Sequence, residues 1–423
     1  MIGCLLTVAV VLLGQTPSAA DADLKPRVRA LIQQLDAETL PERDAAEENL
    51  KNLGPDALDL LAAKKDASPE VQERLKRIRK HLQDAAVEAT AHAATITLPA
   101  SDMPLSKVLQ TLSKQCGNKI VDFRERYGQP AEDPVLHVMW RKTPFWQALD
   151  EALDQAGLGV CAGEAQAVNV AHRPQRQRRR VGTAAYVGPL RIEPVTIESK
   201  CDLRNSSSRS LKLTLDIAWE PRIKPIYFKQ KLSELSAVDD QGKAVPVDGP
   251  EATIELPIRS GLTTAELEIP LLPPPRDVIR LGRLKGKLTA LLPGLTESFR
   301  FERVAAGFSG EKRIAGVVVK VDDVRQDNGA WEFRVRACFD QPGDALESHR
   351  GWKYENEAYL EGADGRRIDF GTSEAIEHAG NEIGTAYIFP IDKLPEGCVF
   401  VYRTPAAMIT ATFEYELKDI PLP

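Results

Sequence analysis

The residues that could do chemistry in this chain are few. From Gly282 to Lys287 the sequence reads GRLKGK, close to a phosphate-binding loop. The glycine spacing is one residue short, and Leu288 stands where a hydroxyl would be needed for the metal of a bound nucleotide. Ser309-Gly310-Glu311-Lys312 has the serine–lysine spacing of some acyl-transfer enzymes, but it falls at an expected joint between domains and has no companion motif. No GxSxG, HExxH or EF-hand loop occurs. His81, His92, His137, His172, His349 and His378 never fall at the spacing of metal ligands. The sequence therefore names no catalytic residue, no metal site and no cofactor.

Two stretches suit binding rather than turnover. His349 to Leu360 reads HRGWKYENEAYL, and Trp352, Tyr354 and Tyr359 could form an exposed platform for a glycan or a partner chain. The same spacing also fits Trp352 and Tyr359 in a β-sandwich core. His172 to Arg180 reads HRPQRQRRR, with five arginines in nine residues. This is expected to be a solvated linker. Arg178, Arg179 and Arg180 could also meet an anionic surface, such as phospholipid head groups or an acidic cell-wall polymer.

The segment from Ala94 to Ala171 would position the best-defined surface. Thr95 to Leu98 is a β-branched run closed by Pro99, so a strand is expected to stop there. Pro104 suits the first turn of a helix, with Ser101 or Asp102 as its cap. Leu105, Val108, Leu109, Leu112 and Cys116 share one helical face, and Gly117 ends the helix. Ile120 to Phe123 is a second strand. Leu136, Val138 and Trp140 alternate with His137 and Met139 in a third, which turns His137 and Met139 away from the core and makes them contact candidates. Thr143 should cap a second helix with Pro144 just inside it. Phe145, Leu149, Ala152, Leu153 and Ala156 form its inner stripe, and Gly157 stops it. Val160 and the run Ala167 to Ala171 close the module.

The order strand, helix, strand, strand, helix, strand, strand resembles the short N-terminal domain of bacterial secretins and of TonB-dependent outer-membrane signal transducers. The matching residues are Pro104-Leu105 opening the first helix, Cys116-Gly117 closing it, and Thr143-Pro144-Phe145-Trp146 opening the second. The resemblance implies a periplasmic protein–protein docking module.

The flanking sequence fits an exported protein. Ile2 to Leu13 is almost wholly apolar and is followed by small residues up to Ala20, the pattern of a signal peptide cleaved after Ala20. That apolar run is shorter than the roughly 20 residues a membrane span needs, and no other segment is apolar enough to cross a bilayer after cleavage. The 55 basic and 61 acidic residues leave a formal charge of −6, which argues against a general nucleic-acid binder. Past Cys4, the five cysteines show no CxxC. Cys116 with Cys161, or Cys338 with Cys398, could pair, and buried thiols are the plainer expectation.

Leu24 to Ala86 reads as helical, with Pro41, Pro55 and Pro69 at first turns and Ser68 as a cap. PERDAAEENLKNLGPDALDLL resembles a HEAT-type repeat, and about two helix pairs fit. From Val181 onward short β-rich runs alternate with Gly, Pro, Asn and Asp. Leu211, Leu213, Leu215, Ile217 and Trp219 share one strand face; Trp331, Phe333, Val335, Ala337 and Phe339 share another. Each half has the size of an immunoglobulin-like domain.

The expected organisation is multidomain α+β. It comprises a signal peptide (1–20), a HEAT-like helical segment (21–90), a secretin/TonB short N-terminal-like domain (91–172) and an Arg-rich linker (173–182). Two immunoglobulin-like β-sandwiches (183–310 and 311–423) complete it. The expected function is a non-enzymatic scaffold or adaptor contacting envelope proteins in the periplasm or outside the cell. The alternative is an exported hydrolase or glycan-binding protein whose site forms between domains.

Overall fold

A computed structural model describes residues 19–61, 68–174, 179–205, 209–259, 261–314, 316–327, 329–339, 356–379 and 381–423. The fold is mixed α+β, and the chain forms two compact units, one up to Ala86 and one from Val87 onward.

The first unit is built from helices α1 (Ala19–Gln34), α2 (Leu40–Lys51) and most of α3 (Pro69–Ala91), with a 3₁₀ turn over Pro55–Leu60. Pro41 and Pro55 each stand at a first turn, and Val71 N–H donates to Ser68 Oγ at 3.3 Å, the expected cap. Where a fourth helix of two pairs was expected, the Pro55 segment makes only the 3₁₀ turn. Val28, Leu31, Leu50, Val71, Ile78 and Leu82 share the core. Glu47 is buried in it, against Arg74 Nη1 and Arg77 Nη2, each at 2.8 Å. The Arg77 hydrogen bond, opposed by burial and helped by Lys51, holds the Glu47 carboxyl down to about 2.

The second unit opens with the βαββαββ order read from the sequence. It runs β1 (Thr95–Pro104), α4 (Leu105–Cys116), β2 (Ile120–Asp122), β3 (Val135–Pro144), α5 (Phe145–Ala156), β4 (Leu158–Cys161) and β5 (Val168–His172). β1 pairs with β3 antiparallel, and β2, β5 and β4 form a separate three-stranded sheet. Leu109, Trp140, Leu149 and Leu153 meet in one core. Gly117 and Gly157 end the helices at φ of 66° and 68°, the left-handed region that glycine enters without a Cβ penalty.

Three local expectations are corrected. β1 does not stop at Pro99 but runs on to Pro104, because the ladder shifts register between Leu98 and Ser101 and needs no N–H from the proline. Neither Ser101 nor Asp102 caps α4. Asp133, 27 residues away, accepts from Ser106 N–H at 2.8 Å and from Ser106 Oγ at 2.7 Å. Thr143 does not cap α5; Phe145 N–H donates to the Ala94 carbonyl at 2.8 Å instead.

Strands follow to the end of the chain. They are β6 (Ala185–Val187), β7 (Leu190–Cys201), β8 (Arg209–Trp219), β9 (Tyr227–Lys231), β10 (Ser236–Asp239), β11 (Ala244–Val245), β12 (Thr253–Pro257), β13 (Thr264–Leu271) and β14 (Arg280–Glu302), then β15 (Gly310–Ile314), β16 (Val317–Asp327), β17 (Ala330–Phe339), β18 (Glu357–Glu361), β19 (Arg367–Asp369), β20 (Thr372–Ala379), β21 (Glu382–Phe389) and β22 (Val399–Pro421). β14 and β22 are each 23 residues long and pair from Arg280↔Pro421 to Glu302↔Val399. Strands usually run 3–10 residues, and these are long because one sheet serves two cores. The sheet β13-β8-β7-β6 covers one half, burying Leu213, Leu215 and Trp219 against Leu284, Leu288, Phe413 and Tyr415. The sheet β15-β16-β17-β21-β20 covers the other, burying Phe333, Val335 and Phe389 against Phe299, Phe400 and Tyr402. The expected boundary at residue 310 is thus crossed: the chain's last strand supplies Phe413, Tyr415, Leu417 and Ile420 to the core that residues 183–310 begin.

The glycines of GRLKGK serve this packing. A Cβ on Gly282 would lie 2.6 Å from the Asp239 carbonyl oxygen, and one on Gly286 would overlap the Tyr415 ring and hydroxyl. They are spaced for strand packing rather than for a phosphate. The five cysteines Cys116, Cys161, Cys201, Cys338 and Cys398 are free thiols, so neither of the two possible pairings is made. Burial pushes the Cys116 thiol up to about 12 and the Cys338 thiol up to about 11.

Candidate functional site

The alternation that buries Leu136, Val138 and Trp140 turns Val135, His137 and Met139 outward on β3. Val135 and Met139 are 67% and 69% exposed, which is high for apolar side chains flanking a histidine on one strand. Across the ladder, Asp102 on β1 pairs with His137, and its Oδ1 lies 2.8 Å from His137 Nδ1. Gln155 of α5 fixes the strand from the other side: its Oε1 accepts from His137 N–H, and its Nε2 donates to the His137 carbonyl, both at 3.1 Å. Among the described strands, β1 and β3 pair only with each other, and helix side chains cap part of their outer edges: Gln155 takes both backbone groups of His137, and Gln115 Oε1 accepts from Thr97 N–H at 3.4 Å. The result is a small, rigidly backed, half-apolar face.

The opposite side of the module is not free. Two buried ionic nodes fasten it to the β-rich part. In the first, Asp150 of α5 meets Arg191 of β7 at 3.2 Å, and Tyr186 donates to Asp150 at 2.9 Å. The Arg191 guanidinium lies 4.6 Å from the Trp146 ring, and the Trp146 indole N–H donates to the Pro189 carbonyl at 3.2 Å. Glu193 and Asp216 stand 3.6 and 3.7 Å from Arg191. Burial pushes the Asp150 and Asp216 carboxyls up, against the pull of the arginines. Burial works against the Arg191 charge, yet Asp150, Glu193 and Asp216 together hold its pKa above the ordinary guanidinium value.

The second node centres on Glu220, whose side chain is fully buried. It accepts from Asn118 Nδ2 at 2.9 Å, from Arg222 Nε at 2.6 Å and from Ala94 N–H at 2.9 Å. Arg222 in turn donates to the carbonyls of Ala89 and His92. Burial pushes the Glu220 carboxyl up. Perturbed carboxyls in a cluster are one signature of an active site. Here Asp150, Arg191 and Glu220 are sealed from solvent, which suits fastening rather than turnover.

The other residues singled out in the sequence are scattered. Arg180 is not a solvated cation: only 8% exposed, it pairs with Glu193 at 3.0 Å. The linker is pinned at both ends to Asp154 of α5, by the Arg173 guanidinium and by the N–H groups of Arg180 and Val181. The reason is local: Asp154 sits one helical turn past Asp150, so both carboxylates face the chain leaving the module. Arg179 is exposed, and Arg178 lies outside the described residues. Trp352 and Tyr354 also lie outside them. Tyr359 sits on β18 with the Arg367 guanidinium 4.2 Å over its ring, so that face already carries a cation. Lys312 of the serine–lysine pair lies on β15 with its ammonium 5.7 Å from the Phe301 ring.

Among the described residues no group of three His, Cys, Asp or Glu side chains is placed to hold a metal ion. No helix among them is long and apolar enough to cross a membrane. The nodes around Arg191 and Glu220 are the residues sequence reasoning missed. The available signals were Asp150 inside the apolar stretch of α5, Arg191 between Leu190 and Ile192, and Glu220 directly after Trp219: charges set among residues that must be buried. No family model, no curated protein and no solved structure matches the chain.

Proposed function

We propose that this chain is an exported, non-enzymatic scaffold or adaptor that makes protein–protein contacts in the bacterial cell envelope. Its docking face is the outward side of β1 and β3, carrying Val135, His137 and Met139. The observation that supports this reading is the exposure of two large apolar side chains beside an aspartate–histidine pair, on a strand face that no other described strand covers. The resemblance of residues 91–172 to the short N-terminal domain of secretins and TonB-dependent transducers points the same way. In this reading the β-rich remainder is a pair of immunoglobulin-like sandwiches sharing strands β14 and β22. They hold the docking face at a fixed distance from whatever the rest of the chain contacts.

Deleting residues 94–171 is a poor test, because it takes Asp150 from Arg191 and takes Asn118 and the Ala94 N–H from Glu220. A photo-cross-linking residue at Met139, compared with one at Leu203, which is 95% exposed, leaves the fold intact. Envelope proteins should be trapped from position 139 and not from 203, and the Val135→Asp substitution should abolish the trapping. Equal trapping from both positions sinks the docking face. A hydrolytic activity lost on changing one Asp, Glu or His would defeat the adaptor reading.

A further inference from the structure

Between strands β13 and β14 the chain reads Leu272-Pro273-Pro274-Pro275-Arg276, and no helix or strand covers Leu272 to Ile279. A proline fixes its own φ and drives the residue before it out of the helical region. Leu272, Pro273 and Pro274 each precede a proline, so sterics alone direct them to polyproline II. That helix has three residues per turn. The exposure follows the same period: Leu272 is 41% exposed and Pro275 is exposed, while Pro273 and Pro274 between them are half-buried. Leu272 and Pro275 therefore form one outward ridge, about 9 Å from end to end at the rise of a polyproline helix.

The ridge is pinned at both ends. Leu272 N–H donates to the Pro246 carbonyl at 2.9 Å, and Asp248 N–H donates to the Pro270 carbonyl at 3.1 Å. Past the prolines, Val278 N–H donates to the Pro275 carbonyl at 3.1 Å, closing a turn, and the Val278 side chain is buried. Leu422 N–H donates to the Ile279 carbonyl at 2.9 Å. Between these anchors, among the described residues, no backbone N–H reaches the carbonyls of Leu272, Pro273 or Pro274. Three acceptors are thus left on a segment whose shape is already set. Arg276 and Asp277 occupy the corners of the turn, and both are exposed. Arg276 makes no ion pair among the described residues.

We propose that Leu272 to Arg276 is the ligand of a proline-recognising domain, a folded partner with an aromatic-lined groove and a carboxylate at one end of it. The ridge of Leu272 and Pro275 lies between the aromatic rings, and indole or phenol donors in the groove take the free carbonyls. The carboxylate takes the Arg276 guanidinium. A segment held extended before it binds loses little chain entropy on docking, which is the advantage of polyproline II as a ligand. This surface lies on the β-rich part of the chain and does not rest on the face at Val135, His137 and Met139. It gives the chain a second point of contact.

Surface plasmon resonance on the full chain tests this, with an isolated SH3 domain and an isolated WW domain as probes, since both present aromatic grooves for proline-rich segments. At least one should bind saturably. Pro275→Ala should weaken it about tenfold, as loss of a central anchor does. Arg276→Glu should weaken it about as much, and reversing the carboxylate at the groove's end to lysine should restore binding to that variant. Asp277→Asn, at the other corner of the turn, should bind as well as the unaltered chain or better. Should Pro275→Ala lower the melting temperature, the exposed Arg276 carries the decision. Absence of saturable binding to both domains, binding that survives Arg276→Glu, an equal loss in Asp277→Asn, or a loss in Arg276→Glu that the reversed carboxylate does not repair overturns the proposal.

Discussion

Asp150 on α5 and Arg191 on β7 form an ion pair at 3.2 Å in which the carboxylate is fully buried and the guanidinium is 1% exposed. The pair joins two parts of the chain that the sequence places in different domains. Small domains in series usually have modest mutual interfaces and move relative to one another. Here a buried cation, three carboxylates and an indole ring lie between them, and separating the parts would leave those charges unpaired. The βαββαββ module and the sheet β13-β8-β7-β6 are therefore expected to move as one piece.

That pairing gives the first prediction. Removing one partner of a buried ion pair typically costs about 3–5 kcal/mol, because the other charge is left uncompensated. Arg191→Met should fall in that range. Asp150→Asn should cost less, since Glu193 and Asp216 still face Arg191. Changing both, to Leu and Met, should recover much of the loss. Urea unfolding of the four proteins measures this. A single-variant cost within about 0.5 kcal/mol would mean that the node is solvated.

The acid response of the first unit follows from Glu47. Its folded pKa is depressed to about 2, chiefly by Arg77. A depressed carboxyl contributes stability that is fully present above its unfolded pKa, about 4.3, and that is lost as pH falls through the folded value. Helix melting of a fragment covering residues 21–90 should therefore weaken between about pH 4.5 and pH 2. Glu47→Gln should lower stability at pH 7 by about 2–3 kcal/mol, at or below the lower end of the buried-pair range because Arg77 is half exposed. It should also flatten the acid dependence. An unchanged acid profile in Glu47→Gln would assign the transition to other carboxyls.

What the sequence made legible was periodicity. The stripe Leu105, Val108, Leu109, Leu112 and the alternation Leu136, Val138, Trp140 are local, and both are buried as expected. What it hid was pairing at long range. Asp150 and Arg191 are 41 residues apart, and Asp133 reaches Ser106 across 27. No pattern within one element records such a partner. Arg180 read as a solvated cation because its neighbours are arginines, while its fate was decided by Glu193 on strand β7. The outward side of β3 was legible through His137 and Met139, since an alternating strand must turn its odd positions away from the core it buries with its even ones.

The shared sheet gives a third prediction. A protein made of residues 183–310 alone lacks β22, and with it Phe413, Tyr415, Leu417 and Ile420. Strand β14 would also lose β22 along its whole length and keep only β10 and β9 beside its first half. This fragment should show no cooperative melting. Extending the chain to Pro423 should restore it. A fragment that melts cooperatively by itself would mean that the sandwich closes without the final strand.

The sharpest test of that sheet lies at Gly286, opposite Tyr415 in the register of β14 and β22. Glycine within a strand is ordinarily weakening, because it loses more backbone freedom on folding and has no side chain to pack. By that rule Gly286→Ala should stabilise. The packing argues the reverse sign. A Cβ here would overlap the ring and hydroxyl of Tyr415, which is buried and donates to Gln230 Oε1 at 3.2 Å. Overpacking a well-filled core costs about 1–3 kcal/mol, so Gly286→Ala should destabilise by about that much. Tyr415→Ala alone should also destabilise, by opening a cavity. Combined, the two should cost less than their sum, since the alanine methyl then enters space the ring has left. Thermal melting of the two single variants and the double variant measures the coupling. Strict additivity, or a stabilised Gly286→Ala, would show that Tyr415 does not lie across Gly286.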